Sequence, residues 1–254
     1  MRCRRMSVVS ISKTPAEMPS PFPPDVSYVW GEEGMALPTL PPAEQALLGG
    51  SASEKRVRDF CMGRTCARAA LERLEKDGGA IGTELEEDSN LPPIGRVRGR
   101  APQWPVGIVG AITHTGGFAA AAVARSTQYF GIGLDLERLR RGVPRLARRI
   151  LRPEEQALLG EQPQAAQDGY ITTIFSAKES IFKALNPATG IYLGFQDAAV
   201  ELEPPGNSGG GAFSWTLRKY YTSALKTGFV GHGRYTRQDN MVLTAVWVTR
   251  LNPE

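Results

Sequence analysis

The sequence predicts an α+β protein made of two related halves in one chain, and two observations carry that expectation. Apolar stretches with the alternation or small residues of strands are interspersed, in both parts of the chain, with stretches of helical period. In addition, the unit Pro42-Ala43-Glu44-Gln45-Ala46-Leu47-Leu48-Gly49 returns as Pro153-Glu154-Glu155-Gln156-Ala157-Leu158-Leu159-Gly160, one residue changed, at an offset of 111 residues. Each copy reads as a short helix with proline entering, an acid in the first turn and glycine leaving. Duplication explains the match; chance or convergence on good helix chemistry is the other explanation of a single short unit.

The 254 residues suffice for one large or two ordinary domains, each with a core. No apolar run approaches the roughly 20 residues of a membrane span, so no membrane partner is expected; Met241 to Val248 reads as a buried strand. A net charge of +4 suits anionic partners without choosing among them. Cys3, Cys61 and Cys66 form neither a disulfide framework nor a C-x-x-C pair, which points to a reducing compartment. Two histidines, His114 and His232, exclude a His-rich zinc site. The basic, acid-free start is either an ordinary N-terminus or the remnant of a transit peptide, so the expected location is the cytoplasm or, in the second case, an organelle.

Residues 1–24 read as a disordered or extended segment, residues 25–130 as the first half and residues 131–250 as the second. In the first half, Asp25 to Trp30 is the opening strand, and Arg56 to Lys76 is a helix with a stripe of Phe60, Ala67, Leu71 and Leu74. Arg64 and Arg68 stand one turn apart on it, a like-charge pair that an anion would relieve. A Gly/Pro-rich connection, Leu91 to Pro105, leads into two strands, Val106 to Thr115 and Phe118 to Arg125. Between them lies His114-Thr115-Gly116-Gly117, where an imidazole and backbone N–H groups could face a phosphate; a purely structural histidine is the other reading.

The second half opens on Gly131-Ile132-Gly133-Leu134-Asp135-Leu136-Glu137, a strand with Ile132, Leu134 and Leu136 on one face and Asp135 and Glu137 on the other. Two carboxylates on one face repel, and a hard divalent ion such as Mg²⁺ would answer that; an exposed acidic face is the alternative. Arg138 to Arg152 carries seven arginines, read as a solvated face or as a docking surface for an acidic protein, with no motif for nucleic acid. On the next helix, Ile174, Ala177, Ile181 and Leu185 form the apolar stripe, and Glu179 and Lys183 lie one turn apart. Lys178 falls inside the stripe, where a lysine stays only if its ammonium reaches water or an anion.

Together Gly133-x-Asp135-x-Glu137 and, about forty residues on, Phe175-Ser176-Ala177-Lys178-Glu179-Ser180-x-x-Lys183 resemble the two signatures of the 4′-phosphopantetheinyl transferases, closest to the surfactin- and enterobactin-synthetase type. Phe60-x-x-Gly63-Arg64-x-x-Ala67-Arg68, Arg100-Ala101-Pro102-Gln103-Trp104-Pro105 and Val109-Gly110-Ala111-Ile112-Thr113-His114 agree in order. Phe175 and Ala111 depart from the Trp and Ser that many members carry. The resemblance implies a pseudo-dimer of two α/β halves with the active site in the cleft between them. It implies transfer of phosphopantetheine from coenzyme A to a serine of an apo acyl or peptidyl carrier protein of fatty acid, polyketide or non-ribosomal peptide synthesis. The reaction would need Mg²⁺ and release 3′,5′-ADP, and the enzyme would be a monomer.

By the same resemblance, Asp135, Glu137 and Glu179 would hold Mg²⁺, and Asp135, Glu179 and Lys183 would be the catalytic set. Arg64, Arg68, Arg100, Thr113, His114, Lys178 and Lys183 would contact coenzyme A, with Lys178 helping Lys183 at the leaving phosphate. A Mg²⁺-dependent phosphohydrolase acting on coenzyme A and a silent coenzyme A- or carrier-binding module are the competing readings.

Overall fold

The computed structural model describes residues 19–37, 39–77, 91–97, 101–139, 144–206, 209–223 and 225–250. The chain divides into two compact units, one running to Gln128 and the other starting at Tyr129. That boundary precedes the expected one because Tyr129 already pairs, with Thr249, as the first residue of a strand. Of the segment expected to be disordered or extended, residues 1–18 lie outside the described residues. Residues 19–24 carry no regular element, yet Phe22 within them is buried.

In the first unit, β1 (Ser27–Glu32) is followed by the short helix α1 (Pro42–Gln45), which tightens into a 3-10 turn at Ala46–Leu48. The long helix α2 (Glu54–Asp77), a two-residue ribbon of β2 (Gly95–Arg96) and β3 (Pro102–Gln103), and the hairpin β4 (Ile108–Thr115) and β5 (Phe118–Arg125) complete it. The sheet order is β1-β5-β4, all antiparallel. Central β5 has alanine from 119 to 122, all fully buried. Their small size lets Cys66, Ala67, Ala70 and Leu71 of α2 join Ala119, Ala121 and Val123 in one core. Phe60, expected at the head of the helix stripe, is only half-buried, with the guanidinium of Arg64 over its ring at 5.0 Å.

The second unit runs β6 (Tyr129–Arg138), α3 (Pro144–Ile150), α4 (Pro153–Glu161), α5 (Gln164–Thr189), β7 (Ala198–Leu202), β8 (Gly210–Leu217), β9 (Val230–Gln238) and β10 (Met241–Thr249). Its five strands form one antiparallel sheet in the order β6-β10-β9-β8-β7. Helix α5 buries Ile174, Ala177, Ile181 and Leu185 against Phe213, Trp215 and Val246 of that sheet. It ends where Gly190 turns left-handed and donates its N–H to Asn186 O at 2.7 Å.

Glycines set how closely α5 lies on β6. A Cβ added at Gly133 would collide with the carbonyl of Ser180, and one at Gly131 with that of Ala184. Residues 131, 133, 135 and 137 share a face, so the same face gives a backbone-to-backbone seat for α5 and then presents two carboxylates.

The eight-residue repeat folds the same way twice. Gln45 Nε2 donates to Leu40 O at 2.6 Å, and Gln156 Nε2 donates to Leu151 O at 3.0 Å. Glu44 and Glu155, equivalent at the 111-residue offset, are both buried. The first accepts the Ile94 N–H at 3.1 Å and the second the Val200 N–H at 2.8 Å. Each then meets a cation from the long helix of its own unit: Arg68 Nη1 lies 3.2 Å from Glu44, and Lys178 Nζ lies 2.7 Å from Glu155. A buried carboxylate needs such partners to offset its charge. Both halves fasten a short helix to a long one this way, Glu155 through both oxygens and Glu44 through Oε1, its buried Oε2 making no hydrogen bond among the described residues.

Replacing Gly133 by Ala should cost about 3 kcal/mol, since α5 must lift off β6. Gly160→Ala in α4, where an added Cβ meets nothing within 4 Å, should gain about 0.5–1 kcal/mol. Urea unfolding curves measure both, and a Gly133→Ala protein as stable as its parent would contradict the contact. Lys178→Met should cost about 3–5 kcal/mol by stranding the buried Glu155 charge. Adding Glu155→Gln should return part of that loss, and strict additivity in thermal melts would contradict the pairing.

Candidate active site

Strand β6 and helix α5 bring together the second unit's acidic and basic candidates. Asp135 is buried at 4% exposure, so the exposed acidic face considered from sequence is not what the strand presents. Its Oδ1 accepts from Lys183 Nζ at 2.7 Å, and Lys183 also donates to Leu134 O at 3.1 Å. Its Oδ2 accepts from Ser176 Oγ at 2.8 Å. Ser176, Ser180 and Lys183 follow one another at four and three residues, one face of a helix, and this face lies over β6.

Glu179 is half-buried between these groups. Its carboxyl is pushed above the usual carboxylate range by burial first and by the neighbouring Asp135 charge second, with Lys183 pulling the other way. The ammonium of Lys183 therefore serves Asp135 more than it serves the Glu179 one turn before it. Glu137 lies two residues beyond Asp135 on the same strand face and is half-buried.

Among the described residues no three acidic, histidine or cysteine side chains are gathered into a ready metal cage. The donors nonetheless fit a hard divalent ion in kind. Mg²⁺ keeps several waters and uses one or two carboxylates together with substrate phosphates, and the Asp135–Glu179 repulsion that raises Glu179 is one that a cation would relieve. In this structure Lys183 supplies the positive charge at Asp135.

Lys178 requires a correction. Its ammonium donates to Ile150 O at 2.8 Å, Glu155 Oε2 at 2.7 Å and Phe195 O at 2.8 Å, and the residue is 2% exposed. Burial pulls its pKa down and Glu155 pulls it back up. A lysine has three donors, and all three are committed within the unit, leaving none for a phosphate. The anion that sequence required for this stripe lysine is Glu155. Lys178 and Glu179 both line a cavity of about 220 Å³ whose other walls include Phe182, Tyr192, Leu193 and Phe195. The rings of Phe182 and Tyr192 meet edge-on at 5.7 Å, and Phe175 packs on Phe195 at 5.5 Å.

In the first unit the anion beside the arginine pair is also internal. Arg64, 4% exposed, donates to Ile94 O and to Gly95 O at 3.1 Å, and its Nη1 is 3.8 Å from Glu44. Burial lowers its pKa and Glu44 raises it. The structure thus uses Arg64 to hold the 94–95 segment rather than to meet a ligand directly. Arg68 pairs with Glu44 at a side-chain exposure of 12%. Thr113 is buried in β4. The next residue, His114, is exposed at the end of that strand rather than in the turn, its Nδ1 3.8 Å from Asp59. Arg100 lies outside the described residues, as do Arg140 and Arg141. Of the other arginines of that run, Arg148 and Arg149 are exposed on α3, while Arg152 starts α4 with its N–H donated to Glu155 Oε2 at 2.7 Å.

Thr244 of β10 and the aromatic walls of the cavity were not singled out from sequence. Thr244 had a signal, a hydroxyl inside the apolar run Met241 to Val248. The aromatics had none, because Phe182 and Tyr192 come together only across the end of α5.

Two family models match consecutive parts of the chain: the 4′-phosphopantetheinyl transferase N-terminal domain over residues 43–124 and the 4′-phosphopantetheinyl transferase superfamily over residues 131–229. The chain is 35% identical over 215 residues to 4′-phosphopantetheinyl transferase Svp of Streptomyces mobaraensis, covering 81% of this chain and 77% of the relative. It is 36% identical over 215 residues to 4′-phosphopantetheinyl transferase Npt of Nocardia iowensis, at 81% and 87% coverage. With PptT of Mycobacterium tuberculosis, also a 4′-phosphopantetheinyl transferase, it shares 31% identity over 211 residues, at 81% and 84%. With both units matched in order and three relatives aligned over most of their length, the chain belongs to the 4′-phosphopantetheinyl transferase superfamily.

Proposed function

We propose that this enzyme transfers the 4′-phosphopantetheine arm of coenzyme A to a serine of an apo acyl or peptidyl carrier protein, with Mg²⁺, releasing 3′,5′-ADP. The observation that carries the reading is the meeting of Asp135, Glu179 and Lys183 where α5 seats on β6. Asp135, Glu137 and Glu179 are the residues that would hold Mg²⁺. When bound, the ion supplies neutralisation of charge on the pyrophosphate.

The chain's own residues account for the rest. Glu179 takes the proton from the carrier serine, directly or through a water that it orients. The serine oxygen then forms a bond to the phosphorus of the arm as the bond to the 5′-phosphate of 3′,5′-ADP breaks. Lys183 offsets charge on that leaving phosphate. The apolar wall of Phe182, Tyr192 and Phe195 beside Glu179 suits the uncharged pantetheine. Arg68 and His114 are the described first-unit candidates for the nucleotide phosphates, with Thr113 and Arg64 behind them as structural support and Arg100 completing the set expected from sequence.

The test is the intact mass of an apo carrier protein incubated with this enzyme, coenzyme A and Mg²⁺. A gain of roughly 340 Da that disappears with EDTA is expected. Coenzyme A breakdown without carrier modification would instead establish the hydrolase, and coenzyme A binding with neither reaction would establish the silent module.

Glu179→Gln should abolish transfer while raising the melting temperature at pH 7–8. The raised Glu179 pKa means that the folded state loses stability as pH rises through it. The melting-temperature advantage of the Gln variant should therefore vanish toward pH 4, where both proteins are neutral at this position. A Gln variant less stable than its parent at pH 8 would contradict the assignment of burial and Asp135 as the cause.

A further inference from the structure

The two oxygens of Asp135 are treated differently. Oδ1 faces Lys183 Nζ, whereas Oδ2 accepts from Ser176 Oγ at 2.8 Å. Behind Ser176, its Oγ lies 2.9 Å from Thr244 Oγ1, which lies 2.7 Å from Ser180 Oγ. Ser180 Oγ also donates to Thr244 O at 3.0 Å. All three hydroxyl residues are fully buried.

The directions follow from counting protons. Each hydroxyl has one, and a carboxylate paired with lysine only accepts. Ser176 commits its proton to Asp135, so Thr244 donates to Ser176, and Ser180 shares its proton between the carbonyl and the hydroxyl oxygen of Thr244. The result is a directed chain of donors, Ser180 to Thr244 to Ser176 to Asp135, linking α5, β10 and β6. Thr244 stands in an otherwise apolar strand, where a buried hydroxyl is costly unless it is hydrogen-bonded.

We propose that Ser176, backed by Thr244, is a positioning residue for Asp135: it anchors Oδ2 and leaves Oδ1, which Lys183 holds here, as the single oxygen available to a divalent cation. This rests on the metal assignment proposed above. One oxygen per carboxylate suits the octahedral geometry of Mg²⁺, and supports of this kind are worth roughly 10–100-fold in metal affinity.

The test measures Mn²⁺ affinity by electron paramagnetic resonance, with coenzyme A present, together with thermal melts and carrier modification. The proteins are the parent, Ser176→Ala, Thr244→Val, Thr244→Ser and Asp135→Asn. Ser176→Ala and Thr244→Val should bind Mn²⁺ about tenfold more weakly, while Thr244→Ser, which keeps the hydroxyl, should match the parent; the melts check that each variant is folded at the temperature of the binding measurement. Parent-like affinity in Ser176→Ala and Thr244→Val, with binding lost in Asp135→Asn, would overturn the inference and leave the metal site standing. Mn²⁺ binding unchanged in Asp135→Asn would overturn both the metal assignment and this inference, while the carrier's mass gain reports separately on the transfer reaction.

Discussion

Helix α5 touches strand β6 through backbone, and the rest of the second unit is arranged around that contact. Where Gly131 and Gly133 lack side chains, the carbonyls of Ala184 and Ser180 come in against the strand. Every functional group of the unit inherits its position from that approach. Asp135 points from β6 toward α5; Ser176, Glu179 and Lys183 point from α5 toward β6. With ordinary side chains at 131 and 133 the two elements would stand apart by the thickness of those side chains, and the 2.7 Å pairing of Lys183 with Asp135 would have to be bridged by something else.

Holding a helix in one place along a strand takes a further restraint, and the buried glutamates provide it. Glu155 accepts from Lys178 on α5, from Val200 on β7 and from Arg152 at the start of α4, so one carboxylate fixes three elements. Lys178 and Glu179 are adjacent but face different partners. Anchoring Lys178 to Glu155 fixes the rotation of the helix about its axis, and with it the direction of the Glu179 side chain. The first unit repeats the arrangement with Glu44, Ile94 and an arginine pair. That the repeat extends to equivalent hydrogen bonds of Gln45 and Gln156 favours duplication over chance agreement in eight residues.

What the sequence made legible was whatever depends on local period. The alternation of β6, the stripe of α5 and the misplaced Lys178 within it could all be read directly, and so could the repeat. What it hid was the partner of each odd residue. Helical geometry says that Lys178 needs an anion but cannot say whether the anion is a ligand or Glu155, 23 residues upstream. The arginine pair posed the same question, and Glu44 answers it. Glycines 131 and 133 read as small strand residues because their purpose lies in the element that approaches them. Thr244 was visible as a hydroxyl in an apolar run, but its meaning depends on two serines more than sixty residues away in sequence.

The charges at the seat of α5 explain why the residues there are these. Asp135 and Glu179 repel one another when both are ionised, and Lys183 pairs with the first of them in a poorly solvated setting. Without a cation, the unit lowers that repulsion with what it has: Lys183 folds onto Asp135, and Glu179 holds its proton to higher pH. If the proposed Mg²⁺ binds here, it would relieve the repulsion that remains. On the proposed function, the patch would then accept a pyrophosphate beside its carboxylates, and Lys183 would be free to turn from Asp135 to the phosphate. On this account the acids are not simply ligands and the lysine is not simply a phosphate contact. On the proposed function, the turn of the lysine toward the phosphate would depend on a cation taking its place at Asp135.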